Sequence, residues 1–283
     1  MSTIRTIGVI GAGQMGAGIA QVSAQAGYQT LLFDSVKAAQ EKGMASIAAQ
    51  LDKAVGKGKL ADADRQKTLG ILKGTASMSD LAGCDLVIEA IIENIEVKTK
   101  VFAELDTIVK PEGILASNTS SIAITKIAAA TKRPSQVMGM HFMNPVPVMK
   151  LVELIRGLQT SDRTYETCRE VCEKMGKTTV LAIDNAGFVV NRILVPMINE
   201  AIFVLQEGVK PEDIDNAMKL GTNQPMGPLE LADFVGLDTL LYILHVLHDE
   251  LGEDKYRPCP LLIRYVEAGW YGRKSGRGFY QYS

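Results

Sequence analysis

Histidine is scarce in this chain, with three residues in 283, and tryptophan occurs once. Cysteine is sparse as well. Cys84, Cys168, Cys172 and Cys259 show no paired metal-ligand spacing, although Cys168 and Cys172, four apart, would share a helix face. They read as reduced thiols, which argues against a disulfide framework and a metal centre. Neither sign of charge is in marked excess: the formal net charge is −2, which gives no reason to expect nucleic-acid binding by the whole surface. No uninterrupted apolar run is long enough to span a bilayer. The most apolar stretch, residues 186–205, contains Asn191, Arg192, Asn199 and Glu200, and reads as a buried or interface helix. The N-terminus, MSTIRTIGVIGAG, lacks secretory and transit patterns, and the terminal GFYQYS is not a peroxisomal tripeptide; a cytoplasmic protein is expected. Internal repeats, low-complexity segments and Pro/Ser linkers are also lacking.

What is present is an ordinary globular composition, 47% hydrophobic and 22% charged, in a chain long enough for one large or two modest domains. Residues 3–10 form a β-branched run that ends in Gly11-Ala-Gly13-Gln14-Met15-Gly16. A helical pattern follows to Ala26, then Gly27, then a second apolar run from Gln29 to Phe33 closed by Asp34. A glycine motif alone is weak, but strand, glycine turn, helix, strand and acid within about 30 residues is a strong dinucleotide signature. Gly11 allows the tight turn, Gly13 lets backbone approach a pyrophosphate, and Gly16 lets helix and strand pack closely. The helix N-terminus offers its N–H groups to the phosphates. Asp34 can accept from ribose hydroxyls and would repel a 2′-phosphate, which favours NAD over NADP.

Residues 36–73 read as two polar helices broken near Gly56-Lys57-Gly58. Lys53, Lys57 and Lys59 cluster there, as a solvated helix end or as a patch for a large anionic substrate. Further apolar strands end in polar residues. Residues 85–90 lead to Glu93 and Lys98 at the opening of a helix. Residues 114–117 lead to Asn118-Thr119-Ser120-Ser121, where some hydroxyls are expected to cap the next helix. Residues 136–141 deliver His141 to the same kind of strand end, where ligands bind in open α/β sheets. Beyond His141 come Asn144, Pro145 and Pro147, which forbid a continuous helix, and then a strand-like run carrying Glu153. If the proline segment turns the chain back, His141 meets Glu153. Glu153 would then fix the imidazole tautomer and partner the imidazolium.

A helix over residues 160–175 and a last strand over 177–183 complete the β-containing part. Four helical patterns follow, punctuated by Gly208, Gly221, Gly227 and Gly236. The expected fold is α/β: a Rossmann-like NAD-binding domain over residues 1–183 and an all-α domain over 184–283. The two would pack closely around a cleft. Asn191, on the first turn of the long helix, either reaches that cleft or serves helix-end packing. The glycine-rich basic end, GRKSGRGFYQY, offers no derivable chemistry.

GAGQMGAGIAQ, IEAIIEN, ASNTSS, GMHFMNPVPVMKLVELI, GFVVNRI and NQPMGPLELADFVGLD together resemble the 3-hydroxyacyl-CoA dehydrogenase family, closest to its short bacterial 3-hydroxybutyryl-CoA branch. The resemblance covers essentially the whole chain. It implies NAD-dependent, reversible oxidation of an (S)-3-hydroxyacyl-CoA, with acetoacetyl-CoA reduction as the working direction, in a homodimer formed by the helical domain. By matching motif, His141 is the acid/base, Glu153 its partner, and Ser120 and Asn191 hold the substrate oxygens. Asn144, Asp34, Glu93, Lys98 and Asn118 lie near NAD. Lys57, with Lys53, corresponds to the region that binds CoA phosphates, while a serine of animal relatives is replaced by Gln50. A free hydroxy-acid dehydrogenase with the same pair is the nearest alternative, and the lysine cluster speaks for CoA instead. Dehydrogenases that use a catalytic lysine fit less well, since GFVVNR offers none. A non-catalytic dinucleotide sensor would have no need of the polar strand ends.

Overall fold

A computed structural model describes residues 4–282, so Thr3, included in the expected first strand, lies outside the described residues. The chain divides into two compact units, Met1–Asn185 and Ala186–Ser283, with the break two residues beyond the expected boundary at 183/184.

The first unit follows the alternating pattern. β1 (Thr6–Ile10), α1 (Gln14–Gln25), β2 (Gln29–Phe33), α2 (Lys37–Gly56), α3 (Asp62–Ile71) and β3 (Leu72–Thr75) come first. β4 (Leu86–Glu89), α4 (Ile95–Ile108), β5 (Ile114–Ser117), α5 (Ile124–Ala128), β6 (Val137–Phe142), β7 (Leu151–Arg156), α6 (Asp162–Lys174) and β8 (Thr178–Ile183) follow. The strands form one sheet in the order β3-β2-β1-β4-β5-β6-β7-β8. All neighbours are parallel except β6 and β7. β1, β4, β5 and β6 read as continuous apolar runs because both sheet faces are covered, and Ile7, Val9, Leu86, Ile88, Leu115 and Met140 are fully buried. The sheet order reverses beside β1, which sets a crevice at its carboxyl end.

One expectation is corrected here. The helical reading of residues 36–73 fails at its end, because Leu72 and Lys73 belong to β3 and pair with Thr30 and Leu31 of β2. This short edge strand, LKGT, buries only its two terminal residues. Tertiary pairing with β2, rather than local propensity, makes it extended.

The second unit is helical: α7 (Val190–Gln206), α8 (Pro211–Gly221), α9 (Pro228–Val235), α10 (Leu237–Leu251) and α11 (Pro260–Glu267). Ile198, Ile202, Leu229, Leu240, Leu244 and Leu262 are among its core residues. α7 starts at Val190 rather than at Phe188, since Gly187 and Phe188 both hold positive φ. Among the described residues no single helix is long and apolar enough to cross a membrane.

Candidate active site

The glycine turn is shaped by contact. Gly11 holds φ +95°, where a Cβ would stand 2.5 Å from the Ala90 carbonyl oxygen. A Cβ on Gly16 would overlap the Gly11 carbonyl oxygen. Gly13 differs: a Cβ there would meet nothing within 4 Å, so the space over the N-terminus of α1 is open. Gly13 is the N-cap and brings no side chain, leaving the first N–H groups of α1 to the crevice. A cavity of about 620 Å³ adjoins it, lined by Gly11, Gly13, Gln14, Met15, Asp34 and Ile91 among others. That volume lies in the usual range for ligand pockets. Asp34 accepts the Ala12 N–H at 2.8 Å and the Val36 N–H at 2.9 Å, one on each oxygen. A carboxylate has about four acceptor sites, so this leaves capacity for ribose hydroxyls. The open cradle, helix end and acid fit an NAD molecule.

Next to this turn, β4 ends in Glu89, whose side chain is fully buried. Its Oε1 accepts the Ile91 N–H and the Lys98 ammonium, each at 2.7 Å, and its Oε2 accepts the Ser117 hydroxyl at 2.7 Å. Lys98, also buried, stands between Glu89 and Glu93, with Nζ 3.3 Å from a Glu93 oxygen. Glu93 in turn gathers the segment after β5. Its Oε1 accepts the Thr119 hydroxyl at 2.5 Å, the Ser120 and Ser121 N–H groups at 2.9 and 3.0 Å, and the Ser121 hydroxyl at 2.9 Å. Burial would raise the Glu93 pKa, but the Lys98 charge and these hydrogen bonds outweigh it and hold the carboxyl below its ordinary range.

The expectation that a strand-end hydroxyl caps the next helix is corrected. The first N–H groups of α5, at Ile124 and Thr125, go to the two oxygens of Asp184, each at 2.7 Å. Thr119 Oγ1 instead accepts from Ile122 at 2.9 Å, closing the turn before α5. Asp184 sits far along the chain, so spacing alone could not reveal it.

β6 delivers His141, and β7 returns antiparallel with Glu153 directly opposite it in register. His141 Nδ1 lies 2.7 Å from Glu153 Oε2, and the Glu153 side chain is fully buried. The reversal between them contains the cis Asn144–Pro145 bond and N–H groups of Val148 and Met149 donating to the Pro145 carbonyl. Lys177 clamps this reversal from outside, donating to the Met149 carbonyl at 2.8 Å and also to that of Val146. Asn118 fastens the other side, its Oδ1 accepting the Phe142 N–H at 2.9 Å. Gln14 of the glycine turn donates to Asn144 Oδ1 at 3.0 Å. The structure thus places three separate bonded pairs, Gln14–Asn144, Asn118–Phe142 and His141–Glu153, at β6 and the turn after it, and joins Lys98, Glu93 and Ser120 in one connected set.

Lys53 and Lys57 stand exposed at the C-terminal end of α2, where cations also favour the helix dipole. Asn191 occupies the first turn of α7 in the helical unit, half-buried. Residues that the sequence reading missed are Glu89, Ser117 and Lys177. A carboxylate closing an apolar strand with a lysine nine positions on was the available signal for Glu89.

A mostly parallel sheet with a glycine turn and an acid after its second strand, beside a buried His–Glu pair, is the framework of a nicotinamide-nucleotide oxidoreductase. Residues 6–185 match the family described as 3-hydroxyacyl-CoA dehydrogenase, NAD binding domain, and residues 187–282 match its C-terminal domain. The chain belongs to the 3-hydroxyacyl-CoA dehydrogenase family and is an NAD-dependent oxidoreductase. It is 55% identical over 282 residues to a 3-hydroxybutyryl-CoA dehydrogenase of Bradyrhizobium diazoefficiens, covering 99% of this chain and 96% of the relative. The human mitochondrial hydroxyacyl-coenzyme A dehydrogenase is 44% identical over 287 residues, covering 99% of this chain and 91% of that protein. The crystal structure of (S)-3-hydroxybutyryl-CoA dehydrogenase from Ralstonia eutropha superposes with a TM-score of 0.97 at 52% identity, covering 99% of this chain and 100% of that one.

Proposed function

We propose that this enzyme interconverts (S)-3-hydroxybutyryl-CoA and acetoacetyl-CoA, with His141 as acid/base and Glu153 as its partner. The observation that carries the reading is the 2.7 Å contact between His141 Nδ1 and a fully buried Glu153 carboxylate at the carboxyl end of the sheet. With Nδ1 committed to Glu153, proton exchange with substrate falls to Nε2. NAD, when bound, supplies the acceptor or donor of the C3 hydride. The chain's own residues handle the proton and the oxygens. In oxidation, neutral His141 takes the 3-hydroxyl proton, and Glu153 partners the imidazolium that forms. In reduction, protonated His141 polarises the ketone and then protonates it. General acid–base help of this kind is worth roughly 100- to 10,000-fold.

Ser120 and Asn191 orient hydrogen bonds to the substrate oxygens and act through the alkoxide-like transition state. Gly11, Gly13, Gln14, Met15, Gly16 and Asp34 hold the dinucleotide, with Glu93, Lys98, Asn118 and Asn144 supporting its nicotinamide side. Lys53 and Lys57 bind CoA phosphates. The helical unit carries substrate residues and the contacts of a homodimer, and the enzyme works in the cytoplasm. The test compares NADH consumption with acetoacetyl-CoA, with free acetoacetate, and with NADPH in place of NADH. Turnover confined to the CoA ester with NADH supports the reading. Equal turnover of the free acid would make this a hydroxy-acid dehydrogenase instead.

A further inference from the structure

Glu89 lies outside the set of residues expected to touch NAD or substrate, yet both of its carboxylate oxygens are engaged, by the Ile91 N–H and the Lys98 ammonium on one and the Ser117 hydroxyl on the other. Its side chain is fully buried, where an ionised group needs a charged partner and hydrogen bonds together. It has both, and two chains of contact lead from it to the same place. The ionic one runs from Glu89 Oε1 to Lys98 at 2.7 Å, from Lys98 to Glu93 at 3.3 Å, and from Glu93 to the N–H groups of Ser120 and Ser121. The neutral one runs from Glu89 Oε2 to the Ser117 hydroxyl at 2.7 Å, and from the Thr119 N–H to Ser117 Oγ at 3.2 Å. A third bond, from the Ile91 N–H at 2.7 Å, ties the same carboxylate to the wall of the nucleotide cavity.

We propose that Glu89 is a positioning residue that fixes the 117–121 segment, and with it the Ser120 hydroxyl, by neutralising Lys98 and holding Ser117 at once. This rests on the proposed role of Ser120 at the substrate oxygen. One ammonium lies between two carboxylates, so the cluster carries one net negative charge when all three are ionised. Removing the Glu89 charge leaves Glu93 as the sole counter-ion of a buried ammonium. Glu93 is drawn toward Lys98, its hold on the Ser120 and Ser121 amides loosens, and Ser120 loses its fixed position. The glutamate, not merely its shape, is then required.

The experiment compares Glu89→Gln in the native background and in Ser120→Ala, together with amide hydrogen exchange across residues 118–122. Glu89→Gln is expected to lower kcat for acetoacetyl-CoA about 10- to 100-fold, the cost of misplacing a reacting-site group. NADH affinity is expected to fall by less than kcat does, since the glycine turn is untouched and only the Ile91 and Lys98–Glu93 side of the nucleotide cavity is disturbed. In Ser120→Ala the same substitution is expected to cost less than about twofold, since the group it positions is already gone. Exchange of the Ser120 and Ser121 amides is expected to quicken at least about tenfold while β6 and β7 stay protected. Equal kcat penalties in both backgrounds, or native exchange in the 118–122 segment, would overturn the role. Failure of the native enzyme to reduce acetoacetyl-CoA would strike the substrate reading, and the exchange measurement would still decide for or against Glu89.

Discussion

Gln14 and Asn144 join the nucleotide turn to the loop that follows the candidate catalytic histidine: Gln14 Nε2 donates to Asn144 Oδ1 at 3.0 Å across 130 residues of chain. Both side chains are exposed, so the bond adds little to stability. Its consequence is register between a residue at the start of α1 and a residue three positions beyond His141. Gln14→Ala is expected to change unfolding free energy by less than about 0.5 kcal/mol. The KM for NADH is expected to rise about three- to tenfold, about 0.7–1.4 kcal/mol, with kcat kept within about threefold. Steady-state kinetics checks this, and a collapse of kcat at unchanged KM would move the role of the bond to proton transfer.

The last two glycines of the turn separate folding from binding. A methyl on Gly16 overlaps the Gly11 carbonyl oxygen, whereas a methyl on Gly13 meets open space. Gly16→Ala is expected to cost about 1–3 kcal/mol of stability, the usual penalty of overpacking. Gly13→Ala is expected to cost no more than about 1 kcal/mol, as for a changed helix cap. Its NADH affinity is expected to fall about tenfold or more, equivalent to about 1.4 kcal/mol. Thermal melts beside fluorescence titrations with NADH test both. Native NADH affinity in Gly13→Ala would place the pyrophosphate elsewhere.

Glu93 gives a pH signature whose sign follows from its depressed pKa. The folded state binds this proton less tightly than the unfolded chain does. Its contribution is therefore complete above the unfolded carboxyl value and is lost as pH falls through the lower folded value. The stability advantage of the native enzyme over Glu93→Gln is expected to be flat from about pH 7 to pH 5 and to shrink below about pH 4.3. Urea unfolding across that range measures it. An advantage that grew on acidification would contradict the assigned direction.

Much of the first unit was legible because its central strands β1, β4, β5 and β6 are buried on both faces and lead into polar residues at several of their ends, a pattern that needs no long-range knowledge. The antiparallel turn-back of β7 could be foreseen because Pro145 and Pro147 bar a helix and Glu153 needs a partner. Three features were not legible. β3 is extended only through its pairing with β2. The α5 cap comes from Asp184, some 60 positions later in the chain. The glycine-rich C-terminal loop, which offered no chemistry, fits around the buried Asp233. A Cβ on Gly272 or Gly278 would overlap Asp233, and the Phe279 and Tyr280 N–H groups donate to its carboxylate at 3.0 and 2.9 Å. Each depends on which distant residue arrives alongside, and one sequence does not state that.

The most direct measurement is the rate of acetoacetyl-CoA reduction by Glu153→Gln, with NADH affinity determined on the same preparation. Gln keeps the shape and a hydrogen bond to His141 Nδ1 but removes the charge that partners the imidazolium. If the dyad carries the chemistry, kcat falls roughly 100-fold or more while NADH binds as to the native enzyme. Unchanged turnover with unchanged binding would show that proton transfer does not need the Glu153 charge, and the His141–Glu153 contact would then be structural.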